Sequence, residues 1–140
     1  MTATDRSIEL TKLAAKAASD KLGTDQVAYD VSDQLAIADT FLIVTAKNER
    51  QVSAVVDAIE EALLAEKAKP LRREGDREAR WVLLDYGDVV VHVQHLEERR
   101  LYALDKLWRD CPAIDLGVED QADPDAEGDP GLLDRERRDG

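Results

Sequence analysis

The sequence predicts an α/β fold: a mixed β-sheet packed with helices, in the order α-β-β-α-β-β-β-α. Three observations predict it. First, Trp81-Val-Leu-Leu-Asp85 and Val89 to Gln94 read as two strands folded back across Gly87-Asp88, because glycine accepts the positive φ of a tight hairpin turn. Second, Val52, Val55, Val56, Ile59 and Leu63 fall on one stripe at helical spacing. Third, Phe41-Leu-Ile-Val44, just ahead of that stripe, is apolar throughout yet too short for a helix, which suits a buried strand.

Taken in order, Thr4 supplies a capping oxygen and Asp5 an acid for the positive end of a first helix. Leu10, Leu13, Ala14 and Ala17 then follow at helical spacing, and Gly23 after Leu22 is the expected stop. Val27, Tyr29 and Val31 alternate with Ala28 and Asp30 as a first strand, and Ser32 to Asp39 is a polar connection. Phe41 to Val44 is the second strand. Asn48 stands where the second helix begins, and that helix ends before Pro70. Leu71 to Glu74 forms a short third strand, followed by the turn-like Gly75-Asp76. The strand at Phe41, the helix at Val52 and the strand at Leu71 make a crossover unit, whereas the later hairpin is antiparallel, so the sheet is mixed. Beyond the hairpin, Leu101, Leu104, Leu107 and Trp108 recur at helical spacing until Cys111-Pro112 ends the last helix.

The hairpin carries the functional question. With Gly87 and Asp88 at the turn, Tyr86 pairs with Val89, Leu84 with Val91 and Val82 with Val93. Side chains alternate across a sheet, so these six residues share one nearly pure apolar face. The other face holds Trp81, Leu83, Asp85, Val90, His92 and Gln94, a mixture suited to contact with a partner. His92 and His95 invite a metal reading, but on a strand they point to opposite sides and do not converge. Asp85 and Asp88 read as acids that bond the turn backbone. Trp81 has two readings, a core tryptophan or a rigid anchor for another protein. Trp108 belongs to the apolar spacing of its helix, while Tyr102 is offset from it and reaches a surface. Arg99 and Arg100 either solvate the helix or add to the contact.

The 140 residues predict a single domain over residues 1–114 and an acidic, disordered tail over residues 115–140. The tail holds ten acids against three bases, a net −7 of the chain's −12. Such a balance argues against nonspecific nucleic-acid binding, which needs clustered Lys and Arg, and suits a basic protein partner. Cys111 is the one cysteine, which excludes an intramolecular disulfide and fits a reducing cytoplasm. No apolar run reaches a membrane span, and Met1-Thr-Ala-Thr-Asp5 lacks the pattern of a secretion signal. There is no phosphate-binding G-x-x-x-x-G-K-[ST], no G-x-G-x-x-G and no nucleophile elbow around Ser7, Ser19, Ser32 or Ser53. No catalytic residue, cofactor or metal ligand is assigned.

Several segments in fixed order resemble the ribosomal silencing factor, or Iojap-like, family over about Ile8 to Asp110. They are Tyr29-Asp-Val31, Ala38-Asp-Thr-Phe-Leu-Ile-Val44, Arg50-Gln-Val52 and Gly75 ahead of Trp81, with two more specific ones. Those two are Leu84-Asp-Tyr-Gly-Asp-Val-Val-Val-His92 and Arg100-Leu-Tyr-Ala-Leu-Asp-Lys-Leu-Trp108. The resemblance implies a nucleotidyltransferase-like shape without an established transferase activity. It implies binding to the large ribosomal subunit through ribosomal protein L fourteen on the intersubunit face. Occupation of that face would block subunit joining and lower translation during nutrient limitation, and family members commonly self-associate as homodimers. On this reading Trp81, Asp85, His92 and Tyr102 make the contact, Gly87 and Asp88 shape the hairpin, and Arg99 and Arg100 are further candidates. The alternative is a nucleotidyltransferase-like enzyme acting on a nucleotide with a divalent metal.

Overall fold

The structure is a computed structural model that describes residues 2–75, 80–119 and 121–122. Its elements run α1 (Asp5–Asp20), β1 (Thr24–Asp30), β2 (Thr40–Ala46), α2 (Glu49–Ala65) and β3 (Arg72–Gly75). The hairpin strands β4 (Trp81–Asp85) and β5 (Val89–His95) follow, then α3 (Leu96–Tyr102) and α4 (Leu104–Leu107). The strands form one sheet in the order β1-β2-β5-β4-β3. Only β2 and β5 pair in parallel; the other three pairings are antiparallel, so the sheet is mixed as predicted. Strand β3 lies parallel to β2 with β5 and β4 between them, which makes β2-α2-β3 a crossover connection.

Both long helices begin with the caps the sequence offers. Thr4 accepts a hydrogen bond from the Ser7 backbone N–H, and Asn48 accepts one from that of Gln51. Val52, Val55, Val56, Ile59 and Leu63 are fully buried and meet the sheet face formed by Leu42, Val44, Leu84, Val89, Val91 and Val93. The alanines of α1 are equally buried, so a slim helix packs tightly beside α2. A hydroxyl pair, Thr11 Oγ1 to Thr40 Oγ1 at 2.7 Å, ties α1 to the start of β2.

Helix α1 stops ahead of Gly23 as expected, but the reason for a glycine there is a different one. The left-handed residue there is Leu22, at φ 67°, and the Gly23 N–H donates back to the Ala18 carbonyl at 2.8 Å. Glycine is needed for space instead: a Cβ at position 23 would lie 2.7 Å from Val44 Cγ1 and 3.0 Å from the Ala18 carbonyl oxygen. Gly23→Ala is therefore expected to destabilise the fold by about 1–3 kcal/mol, the usual cost of overpacking, measured by chemical denaturation.

The terminal helix is also corrected: it is two short pieces. Ala103 sits at φ 43°, ψ 50° between α3 and α4, a left-handed conformation that costs an L-residue about 1–2 kcal/mol. In an unbroken helix Tyr102 and Leu104 would point about 200° apart. The break lets Tyr102 pack at a tilt against Trp81 while Leu104 and Trp108 join a second apolar cluster around Val27, Tyr29, Ile43 and Cys111. Leu101 and Leu107, counted in the apolar stripe, are instead 72% and 69% exposed.

Beyond α4 the chain runs along the outer edge of β1. Asp30 N–H donates to the Pro112 carbonyl, Ile114 N–H to that of Ala28 and Ala122 N–H to that of Gln26. Ile114 and Leu116 are buried in the main core, so residues 115–119, 121 and 122 are docked on the domain and not part of a free tail. A strand edge with unpaired backbone groups and two apolar side chains supply the reason. Residues 123–140, and Asp76 of the predicted turn, lie outside the described residues.

Candidate partner-binding face

The hairpin register is the one expected: Val82 opposes Val93 and Leu84 opposes Val91, with Tyr86 N–H donating to the Val89 carbonyl at 2.9 Å. Gly87 takes φ 89°, and its N–H donates to Asp85 Oδ1 at 2.8 Å. Asp85 Oδ2 lies 3.3 Å from the Arg72 guanidinium on β3. The Asp88 carbonyl accepts from the backbone N–H groups of Asp39 and Thr40, so the turn also anchors the entry to β2. Asp85 and Asp88 thus shape the hairpin from opposite sides of Gly87, Asp85 through its carboxylate and Asp88 through its backbone.

The mixed face carries a line of five rings. Tyr102 lies 4.9 Å from Trp81 between ring centroids, Trp81 6.0 Å from His92, His92 5.5 Å from Phe41, and Phe41 5.1 Å from Trp108. At its centre the Trp81 indole N–H donates to His92 Nδ1 at 3.1 Å. That bond requires Nδ1 to be an acceptor, so the neutral imidazole carries its proton on Nε2. His92 is 7% exposed, and burial pushes its pKa down to about 4, which keeps it neutral near pH 7. Trp81 is half-buried, between the two readings its sequence allowed. Its ring edge is committed to His92 while its body meets Tyr102, itself 51% exposed. His92 therefore supports Trp81 from below rather than presenting itself to solvent.

Arg99 and Arg100 separate. The Arg99 side chain is 11% exposed and donates to the Asp25 carbonyl at 2.8 Å and to Thr45 Oγ1 at 2.7 Å, with Asp105 at 3.6 Å. It fastens α3 to β1 and β2 instead of solvating the helix. Arg100 is exposed and makes no ion pair with a described residue. A residue not singled out from the sequence, Arg80, binds Glu97 at 2.8 Å, Glu98 at 3.0 Å and Glu49 at 3.2 Å. The signal was present: the hairpin register places Arg80 beside His95, within reach of two acids. His95 Nδ1 accepts from the Glu97 N–H and so caps α3. Among the described residues, no group of three or more His, Cys, Asp or Glu side chains converges as a metal site. Cys111 is buried, and burial pushes its thiol pKa up, so the thiolate is disfavoured.

The exposed part of this region is apolar and aromatic: Leu101, Tyr102 and Leu107 turn outward, with Trp81 and Leu83 half-buried beneath α3 and along β4. No helix among the described residues is long and apolar enough to cross a membrane.

Comparison with known proteins gives this face its context. The profile of the family described as "Ribosomal silencing factor during starvation" matches residues 4–137. The ribosomal silencing factor RsfS of Bacillus subtilis (strain 168) is 44% identical over 105 residues, covering 75% of this chain and 89% of that protein. Its counterpart from Halalkalibacterium halodurans is 43% identical over 108 residues, covering 77% of this chain and 92% of that protein. A crystal structure of a Chromobacterium violaceum protein superimposes with a TM-score of 0.70 at 30% identity, covering 84% of this chain and 97% of that one. Fold, motifs and relatives agree: the chain belongs to the ribosomal silencing factor family.

Proposed function

We propose that this protein represses translation by binding the large ribosomal subunit and blocking its union with the small one. The docking partner is ribosomal protein L fourteen, and the block is steric, acting under nutrient limitation. The observation that carries the reading is the Trp81–Tyr102 pair, with Leu101 and Leu107 exposed on the same short helices. A rigid aromatic pair flanked by unburied leucines is surface a partner can cover with little loss of side-chain freedom. The net charge of −12 favours a basic partner such as a ribosomal protein.

The mechanism needs no bond-making step, cofactor or metal, so the protein acts as a non-enzymatic repressor in the cytoplasm. Asp85, one of the two hairpin acids that would have to gather a metal for nucleotidyl transfer, has other work: it holds Gly87 and faces Arg72. When free, the protein is a homodimer, which would shield the exposed leucines. The contact set is Trp81 and Tyr102 at its centre, Asp85 and Arg100 at its rim, and His92 and Arg99 beneath, with Gly87 and Asp88 fixing the hairpin. Leu101→Asp and Tyr102→Ala test it directly. Leu101 is exposed, so its change should alter stability by no more than about 0.5 kcal/mol, whereas Tyr102→Ala also loses the ring contact with Trp81, about 0.5–1.5 kcal/mol. Co-sedimentation with purified large subunits should weaken roughly tenfold for each. Wild-type co-sedimentation by both variants would remove this face from the contact.

A further inference from the structure

We propose that α3 is a hinged flap, latched by Arg80 and Arg99 over a polar floor whose buried Gln94 amide favours its opening. Several features of the fold meet here. None of the α3 residues is buried, so little apolar burial holds this helix down, whereas Leu104 anchors α4 beyond the joint. Leu101 of α3 and Leu107 of α4 face outward. Besides the contact of Tyr102 with Trp81, what fastens α3 is the two arginines: Arg80 to Glu97 and Glu98 at its N-terminal end, and Arg99 to the Asp25 carbonyl and Thr45 Oγ1 in its middle. At its C-terminal end the chain reverses through Ala103, whose left-handed backbone (φ 43°) is a strained joint.

The floor beneath is unusual. Gln94 is fully buried on the second sheet face, paired in register with Thr45 on one side and Trp81 on the other. Neither its Oε1 nor its Nε2 has a hydrogen-bond partner. A buried amide left unpaired opposes the closed state, because lifting α3 would give it water. The flap is thus held at its N-terminal end by the ion pairs of Arg80, which salt screens, and in its middle by the hydrogen bonds of Arg99 to uncharged acceptors, and it is opposed by its own floor. Such an element opens locally, without unfolding the sheet. The latch stands on these contacts alone. Its consequence for binding rests on the reading above, since Tyr102 ends α3 and packs against Trp81.

Hydrogen–deuterium exchange on the full chain, with no ribosome present, tests the flap separately from the partner. Between about 0.1 M and about 1 M sodium chloride the Debye length falls from about 10 Å to about 3 Å. Protection of peptides spanning residues 96–107 should then drop at least about threefold, while peptides spanning residues 82–93 keep theirs. Arg99→Met should lower protection of residues 96–107 further, and Gln94→Leu, of similar volume, should raise it by about tenfold. Salt-independent protection at 96–107, or loss in step with 82–93, would overturn the flap. Lower protection in Gln94→Leu would overturn the role given to the amide. If Arg99→Met does not fold, the wild-type salt response decides the latch.

Discussion

Trp81→Ala is expected to weaken binding to the large subunit by about thirtyfold or more, the loss of about 2 kcal/mol typical of a central aromatic anchor. It should also cost roughly 1–3 kcal/mol of stability, because the indole N–H is the partner of His92 Nδ1 and its removal leaves a buried acceptor unpaired. The domain should still fold, since Trp81 is half-buried and the main core on the other sheet face does not include it. Co-sedimentation and urea denaturation of the same preparation separate the two effects. Trp81→Phe should recover part of the binding through its ring and little of the stability, because phenylalanine has no N–H to give. A Trp81→Ala protein that is destabilised yet binds normally would make this residue purely structural.

The second large effect is a loss of stability on acidification. Burial depresses the His92 pKa from the usual 6.5 to about 4 in the folded protein. Between those values the unfolded chain binds a proton that the folded chain does not, so stability falls as pH drops through about 6.5 and the loss is complete below about 4. From about pH 7 to about pH 5 this one residue should remove about 2 kcal/mol. Protonation would also turn Nδ1 from acceptor to donor and break its bond to Trp81, so the aromatic face loosens together with the fold. Urea denaturation at both pH values should show His92→Gln losing about 2 kcal/mol less than wild type over the same interval. Carboxylates that titrate in the window act on both proteins and cancel in the comparison. Equal pH dependence would mean that His92 protonates without penalty.

The elements that local chemistry specifies were legible. The caps at Thr4 and Asn48, the stripe from Val52 to Leu63 and the hairpin register around Gly87 all rest on contacts within a few residues, and each stands as read. The split of the hairpin into an apolar and a mixed face was equally legible, because strand alternation fixes it. The terminal segment was not. Leu101, Leu104, Leu107 and Trp108 have helical spacing, yet Tyr102 is drawn to Trp81 and Leu104 to the second cluster. That competition is tertiary, and no periodicity records it. Gly23 did mark the helix stop, but its position alone does not reveal that Leu22 takes the left-handed conformation or that the close approach of Val44 from β2 excludes a side chain at 23.

At the candidate face, Trp81, His92 and Tyr102 do come together, but with unequal roles. The sequence placed His92 on the right face without revealing that the Phe41 and Trp81 rings flank it and that it is buried. Arg99 read as a surface charge because its anchors, Asp25 and Thr45, lie far back in the chain. Phe41 joins the ring line only through the parallel β2–β5 pairing, which a single strand pattern cannot predict.

Subunit joining on a density gradient tests the central claim most directly. Purified large and small subunits are mixed with and without saturating protein. Steric occupation of the intersubunit face predicts that the joined-ribosome peak falls and free subunits accumulate, with the protein sedimenting beside the large one. The Leu101→Asp and Trp81→Ala proteins should leave joining intact. Undiminished joining at saturating wild-type protein would contradict the proposed mechanism.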